Sequence, residues 1–166
     1  FGPIRRAQYT ASRSRPATEE ITIRPPKERS IIVDGYNMIF AWEETKKLAN
    51  EDLDAARRLL CDRLSSFAGY TKIKLVVVFD GYKREGNPGE KTQQGNIQVV
   101  YTPQGQTADR YIEELADEIG SSYAVRVASS DNLVQLSSFR SGVLRMSARE
   151  LEEAVEKARK EMKRFY

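Results

Sequence analysis

Ile31-Ile32-Val33-Asp34-Gly35-Tyr36-Asn37-Met38-Ile39 decides how this 166-residue chain is read. Three β-branched residues in a row predict a strand buried on both faces, as at the centre of a parallel sheet. The strand runs straight into an aspartate and a glycine. Open α/β sheets bind their ligands outside the carboxyl ends of the strands, which makes Asp34 a candidate functional carboxylate. Gly35 lets the backbone turn sharply there, and Asn37 adds a neutral oxygen ligand or an amide donor. Asp-Gly is also ordinary turn chemistry, so the rest of the chain has to decide.

Working outward, strand and helix patterns alternate. Phe40-Ala41-Trp42 is expected to close a short turn over the site. Leu53, Ala56, Leu60, Leu64 and Phe67 recur at three- and four-residue steps and predict an amphipathic helix over about 51–69. Cys61 sits beside that stripe and reads as a core residue, not a nucleophile. Lys74 to Phe79 is a second buried strand and also ends in an aspartate and a glycine, Asp80-Gly81. Residues 82–95 are polar, with Gly86, Pro88, Gly89 and Gly95. They read as a long surface loop made basic by Lys83, Arg84 and Lys91.

Ile97 to Tyr101 is the third strand. Thr107 is then a helix N-cap, which puts Asp109 in the first turn of a helix reaching about Ile119. An acid is favoured there by the helix dipole alone. Ala124 to Ala128 is the fourth strand, followed directly by Ser129-Ser130-Asp131-Asn132, with a short helix expected over 132–139. Val143 to Met146 is a fifth, short strand. Ser147 and Glu150 form a capping box. Leu151, Val155, Ala158, Met162 and Phe165 line one face of the last helix, with i,i+4 pairs Glu153–Lys157 and Glu156–Lys160 on the other.

Composition removes several classes of chemistry. There is no histidine, which excludes Ser-His-Asp and Cys-His catalysis and histidine-containing zinc sites within this chain. The single cysteine, Cys61, cannot form an internal disulfide and suits a reducing compartment. The longest apolar run, Leu75 to Phe79, is strand-sized, so no membrane span is expected. Hydrolytic chemistry must therefore rest on carboxylates, with or without a metal.

The net charge of +3 is unevenly placed. Residues 1–29 hold seven Lys or Arg against three Glu, which leaves 20 of the 27 basic and 21 of the 24 acidic residues for the remainder. Few apolar residues and no period make 1–29 a disordered basic leader, and 30–166 a single folded domain. The leader's Arg- and Ser-rich, acid-poor start is compatible with the remnant of an organellar transit peptide or with a plain basic linker.

Strands alternating with helices imply right-handed crossovers and a parallel sheet, with every strand's carboxyl end on one edge. Asp34, Asp80 and Asp131 lie at three such ends, and Asp109 opens the helix after another. Four carboxylates brought together would repel one another and take up protons. A divalent cation removes that conflict, and a hard all-oxygen ligand set points to Mg²⁺ or Mn²⁺.

Val33-Asp34-Gly35-Tyr36-Asn37-Met38-Ile39, Val77-Val78-Phe79-Asp80-Gly81, Thr107-Ala108-Asp109-Arg110-Tyr111-Ile112-Glu113 and Ala128-Ser129-Ser130-Asp131 resemble the motifs of YacP-like NYN-domain proteins, in the PIN-like nuclease superfamily. Gly142-Val143-Leu144-Arg145-Met146-Ser147-Ala148-Arg149-Glu150-Leu151 resembles that family's C-terminal signature. The similarity covers about residues 30–160. It implies a PIN-like three-layer α/β/α fold with a mainly parallel five-stranded sheet in the order 3-2-1-4-5. It also implies a metal-dependent endoribonuclease acting on RNA.

A bacterial member cuts messenger RNA in the ribosomal A site, which makes the ribosome a candidate partner. The family implies a bacterial-type cytoplasmic setting, or a plastid stroma if the leader is a transit remnant. By resemblance, Asp34 and Asp109 are the leading metal ligands and catalytic residues, Asp80 and Asp131 further metal or water ligands, and Asn37 an orienting residue. Glu113 lies one turn beyond Asp109. Lys83, Arg84, Lys91, Arg110, Arg145 and Arg149 are candidates for phosphate contacts; Tyr36 and Tyr82 are candidates for stacking on unpaired bases, with a core position equally open to Tyr36.

Two other classes fit less well. A non-catalytic RNA- or ribosome-binding module would gain nothing from four acids beside phosphate. A receiver domain would show paired acids after the first strand and a lysine after the fifth, where this chain has Asp34 alone and Arg145-Met146-Ser147.

Overall fold

A computed structural model of the chain describes residues 27–81, 89–129 and 142–165. The elements run β1 (Glu28–Asp34), α1 (Gly35–Ala41), α2 (Glu43–Ala49), α3 (Leu53–Thr71), β2 (Lys74–Phe79), β3 (Glu90–Gln94), β4 (Ile97–Tyr101), α4 (Ala108–Ile119), β5 (Tyr123–Ala128), β6 (Leu144–Met146) and α5 (Ala148–Phe165). One sheet holds all six strands in the order β3-β4-β2-β1-β5-β6. Every neighbouring pair is parallel except β3–β4. The five expected strands keep the order 3-2-1-4-5, with one antiparallel strand added at the edge.

That added strand corrects the expectation of a structureless loop over 82–95. Residues 90–94 pair with β4, and Gln94 lies opposite Ile97 across the two-residue turn Gly95-Asn96. Gly95 adopts φ +60, a conformation that strains residues with a Cβ. The turn is tied to α3: Asn96 N–H donates to Ser65 Oγ at 2.9 Å, and Asn96 Nδ2 to the Ser65 carbonyl at 3.1 Å. The first strand also starts at Glu28, two residues inside the segment read as leader. The turn expected at Phe40 to Trp42 is instead the junction of two short helices at Trp42. The helix expected over 132–139 lies outside the described residues.

Two cores flank the sheet because strand side chains alternate. Ile31, Val33, Leu75, Val77, Phe79, Ile97 and Val99 pack against α1, α3 and α5. Ile32, Val76, Val78, Val100, Val125 and Val127 pack against α4 through Ala108, Ile112 and Ala116. Burial on both faces explains the unbroken apolar reading of β1 and β2. The capping box forms as its spacing requires: Ser147 N–H donates to Glu150 Oε1 at 2.8 Å and Glu150 N–H to Ser147 Oγ at 3.0 Å. Among the described residues, the ion pairs on α5 are Arg149–Glu153 and Arg159–Glu156, in place of the two lysine pairs expected. No helix among the described residues is long and apolar enough to cross a membrane.

Candidate active site

Strand alternation puts Asp34 on the same face as Ile32, the face covered by α4. Its register partner Val78 belongs to that layer too. Asp34 is only 4% exposed. A carboxylate taken out of water is costly unless hydrogen bonds replace its solvation. Asn37 supplies one such bond, its Nδ2 donating to Asp34 Oδ2 at 2.7 Å. Asp34 occupies the N-cap position of α1, yet its side chain caps no backbone N–H. The amide three residues on has taken that role, and the carboxylate is held as an oriented acceptor.

The two segments carrying Asp80 and Asp109 are fastened to each other by a residue that the sequence did not single out. Thr102 is fully buried, its N–H donates to the Phe79 carbonyl at 3.0 Å, and its Oγ1 accepts from Gly81 N–H at 2.9 Å. The same hydroxyl donates to the Gln106 carbonyl at 2.8 Å. Thr102 therefore fixes the turn after β2 against the loop that leads into α4. A threonine directly after a strand and before a proline was the available signal, but nothing in it distinguished a buried clamp from a solvated turn residue. Thr107 caps α4 as expected, accepting from Arg110 N–H at 3.2 Å. Asp109 stands exposed in the first turn and Asp80 is half-buried.

Asp34, Asp80 and Asp109 thus share the carboxyl edge of the sheet, while Asp131 lies outside the described residues. Among the described residues, no three acidic or cysteine side chains gather closely enough to hold a metal ion together. Mg²⁺ characteristically takes one or two carboxylates and completes its shell with water and substrate phosphate. The buried, oriented Asp34 with other carboxylates on the same edge is compatible with that mode of binding.

The basic and aromatic candidates divide. Lys91 is exposed on β3, and its Nζ lies 5.9 Å from the Tyr111 ring centroid on α4. Arg110 and Arg149 are exposed and form surface pairs with Glu114 and Glu153 at 3.4 and 3.3 Å. Such pairs are weak and leave the guanidinium available to a phosphate. Arg145 is half-buried, and its Nη2 reaches the Ser129 carbonyl at 3.4 Å. That bond ties β6 to the end of β5 and makes Arg145 first a brace between the two strands. Glu113 is half-buried on α4. Lys83, Arg84 and Tyr82 lie outside the described residues.

Tyr36 takes a core position. Its ring is 8% exposed and meets Phe79 edge-on at 5.0 Å. Its hydroxyl accepts from Arg57 Nη1 at 2.9 Å, and Arg57 is in turn ion-paired with Asp54. Little of the residue is left for a base to stack on. Cys61 is buried as expected, and burial pushes its thiol up to about 12 from an ordinary 9.0. It is a packed core residue.

The fold is that of a known group. A family model for the YacP-like NYN domain matches residues 31–166. The chain belongs to the YacP-like NYN-domain family. It is 36% identical over 135 residues to YacP of Bacillus subtilis (strain 168), covering 81% of this chain and 79% of that protein. Crystal structures of Rae1 (YacP) from Bacillus subtilis superimpose well. A point mutant gives a TM-score of 0.70 at 34% identity, covering 82% of this chain and 80% of the other. A second Rae1 structure gives 0.68 at 33% identity over 81% and 77%. In this NYN domain, a nuclease-like unit, the central-strand aspartate and its Asn37 partner lie within the matched residues.

Proposed function

We propose that this NYN domain is a divalent-metal-dependent endoribonuclease that cuts single-stranded RNA, with messenger RNA on the ribosome as a candidate substrate. The observation that carries this reading is Asp34. It is a buried carboxylate at the end of the central strand, oriented by a 2.7 Å bond from Asn37. Burying a carboxylate costs solvation that hydrogen bonds must replace, and Asn37 does so while leaving Asp34 at the edge where such sheets bind ligands. One or two of the candidates Asp34, Asp80, Asp109 and Asp131, with Asp34 foremost, would hold Mg²⁺ or Mn²⁺ together with water and substrate phosphate. Bound there, such an ion supplies activation of water and stabilisation of charge developing on a phosphodiester.

The chain's own contributions follow from the geometry. Asn37 fixes which way the Asp34 carboxylate faces, and Thr102 holds the Asp80 and Asp109 segments in a constant relation. Lys91, Arg110 and Arg149 are exposed cations suited to the phosphate backbone, with Lys83 and Arg84 as further candidates in the adjoining segment. Contacts of that kind position RNA without reading its sequence.

Asp34→Asn tests the reading, because it keeps the volume and removes the charge. The variant is expected to fold and to lose Mg²⁺-dependent cleavage of single-stranded RNA, assayed with and without ribosomes. Wild-type rates in a folded Asp34→Asn protein, across a range of Mg²⁺ concentrations, would refute the role of Asp34. Failure of the wild-type protein to cut RNA in either setting would refute the activity.

A further inference from the structure

Phe40 is one of three large apolar side chains exposed among the described residues, at 50% of its surface. It lies on α1, one turn after Asn37, and the two side chains share a helix face. A surface hollow of about 250 Å³ is lined by Tyr36, Asn37, Phe40 and Ala41. An exposed aromatic ring therefore stands beside the residue that orients Asp34.

The helix presenting that ring is held firmly. Tyr36, Met38 and Ile39 are buried. Thr45 Oγ1 donates to the Ile39 carbonyl at 2.8 Å, and Trp42 Nε1 donates to the Ala148 carbonyl at 3.0 Å. Arg57 holds the Tyr36 hydroxyl. The inward positions of α1 are buried, while Phe40 keeps half of its surface exposed. A rigidly mounted aromatic ring loses little conformational freedom when a flat partner lies on it.

We infer that Phe40 is a stacking platform for an unpaired base of the RNA strand next to the phosphate presented to Asp34. This deepens the proposed function and rests on RNA being the substrate. The partner chemistry is a flat aromatic base on a flexible, single-stranded backbone, because a base locked in a duplex has no free face to offer. Stacking of this kind is tolerant of base identity. Phe40 therefore positions the strand without selecting its sequence, and it offers far more exposed surface than Tyr36 in the same hollow.

The test uses the protein on short single-stranded RNA oligonucleotides, measuring kcat, KM and equilibrium binding by fluorescence anisotropy. Phe40→Ala should raise KM and Kd by about five- to 140-fold, the range spanned by stacking one base, with kcat little changed. Phe40→Trp should retain wild-type affinity. Phe40→Leu, which keeps apolar bulk but lacks a π-face, should behave like Phe40→Ala. An oligonucleotide made abasic at one position beside the cut should bind wild type and Phe40→Ala equally, because the stack is already absent.

Unchanged KM and Kd in Phe40→Ala would overturn the inference, as would full rescue by leucine. Phe40→Ala must also melt like wild type; a ring that instead proves structural overturns it too. Wild-type protein that binds oligonucleotides but never cuts them would defeat the proposed activity and leave the anisotropy arm to decide on Phe40. No difference between wild type and Phe40→Ala in that arm, including absence of binding by either, would defeat the stack.

Discussion

Gly35→Ala isolates how tightly the start of α1 is fitted to the sheet. A Cβ at Gly35 would lie 2.3 Å from Phe79 Cε1, 2.5 Å from Cδ1 and 2.9 Å from Cζ. The ring has nowhere to go: Phe79 is fully buried, met edge-on by Tyr36 at 5.0 Å and stacked on Tyr101 at 5.3 Å. Forcing a methyl into a packed core costs about 1–3 kcal/mol. The intrinsic helix preference for alanine returns at most about 1 kcal/mol, and less at a first helical position. The expected net is a destabilisation of about 2 kcal/mol, or roughly 4–8 °C in Tm for a domain of this size. Urea denaturation followed by circular dichroism measures it. The same substitution in a Phe79→Leu background should cost less, with a coupling of about 0.5–3 kcal/mol between the two sites. Gly35→Ala as stable as wild type, or equal costs in both backgrounds, would refute the close-approach argument.

Cys61 should resist thiol reagents in the folded protein near pH 8 and react promptly in denaturant, because burial holds its thiol protonated to about pH 12. The unfolded chain releases that proton from about pH 9, so the contribution to stability is present below that value. It should decline as pH rises from there towards 12, and Cys61→Ala should flatten the decline. Ser147→Ala should cost about 0.5–2 kcal/mol in a melting experiment by removing the α5 cap. Glu150 is held below its ordinary 4.5, first by the Ser147 N–H. Its contribution is therefore present above the ordinary carboxylate range and lost as pH falls through it and below. Glu150→Gln should weaken that acid dependence.

The central architecture could be read from Ile31-Ile32-Val33 and from Leu75 to Phe79 because burial on both faces leaves an unbroken apolar signature. Glu90 to Gln94 carries no such signature. Its side chains are exposed apart from half-buried Thr92, and the strand exists through backbone pairing with β4 at the sheet edge. The turn signal Gly95-Asn96 was present, but no apolar alternation preceded it to suggest a hairpin. Which of Tyr36 and Phe40 is buried and which exposed depends on the helical phase of α1. That phase became visible once α1 was seen to begin at Gly35. Asp34 and Asp109 could be placed on one edge from topology alone. How closely they approach depends on sheet twist and on the Thr102 clamp, which the order of elements does not encode.

A helix of seven residues has little stability of its own, since nucleation is costly and only a few bonds follow it. The orientation of Asn37, and through it of Asp34, therefore derives from tertiary anchors and not from helix propensity. Those anchors reach far along the chain: Arg57 on α3 holds Tyr36, and the Ala148 carbonyl at the start of α5 holds Trp42. The capping box of Ser147 and Glu150 fixes the backbone around that carbonyl. A substitution at the head of α5 can thus disturb the carboxylate edge without touching it, by loosening the seat of α1. The C-terminal motif that resembles the family signature has a physical role on this view. It supplies the surface against which the first motif is aimed.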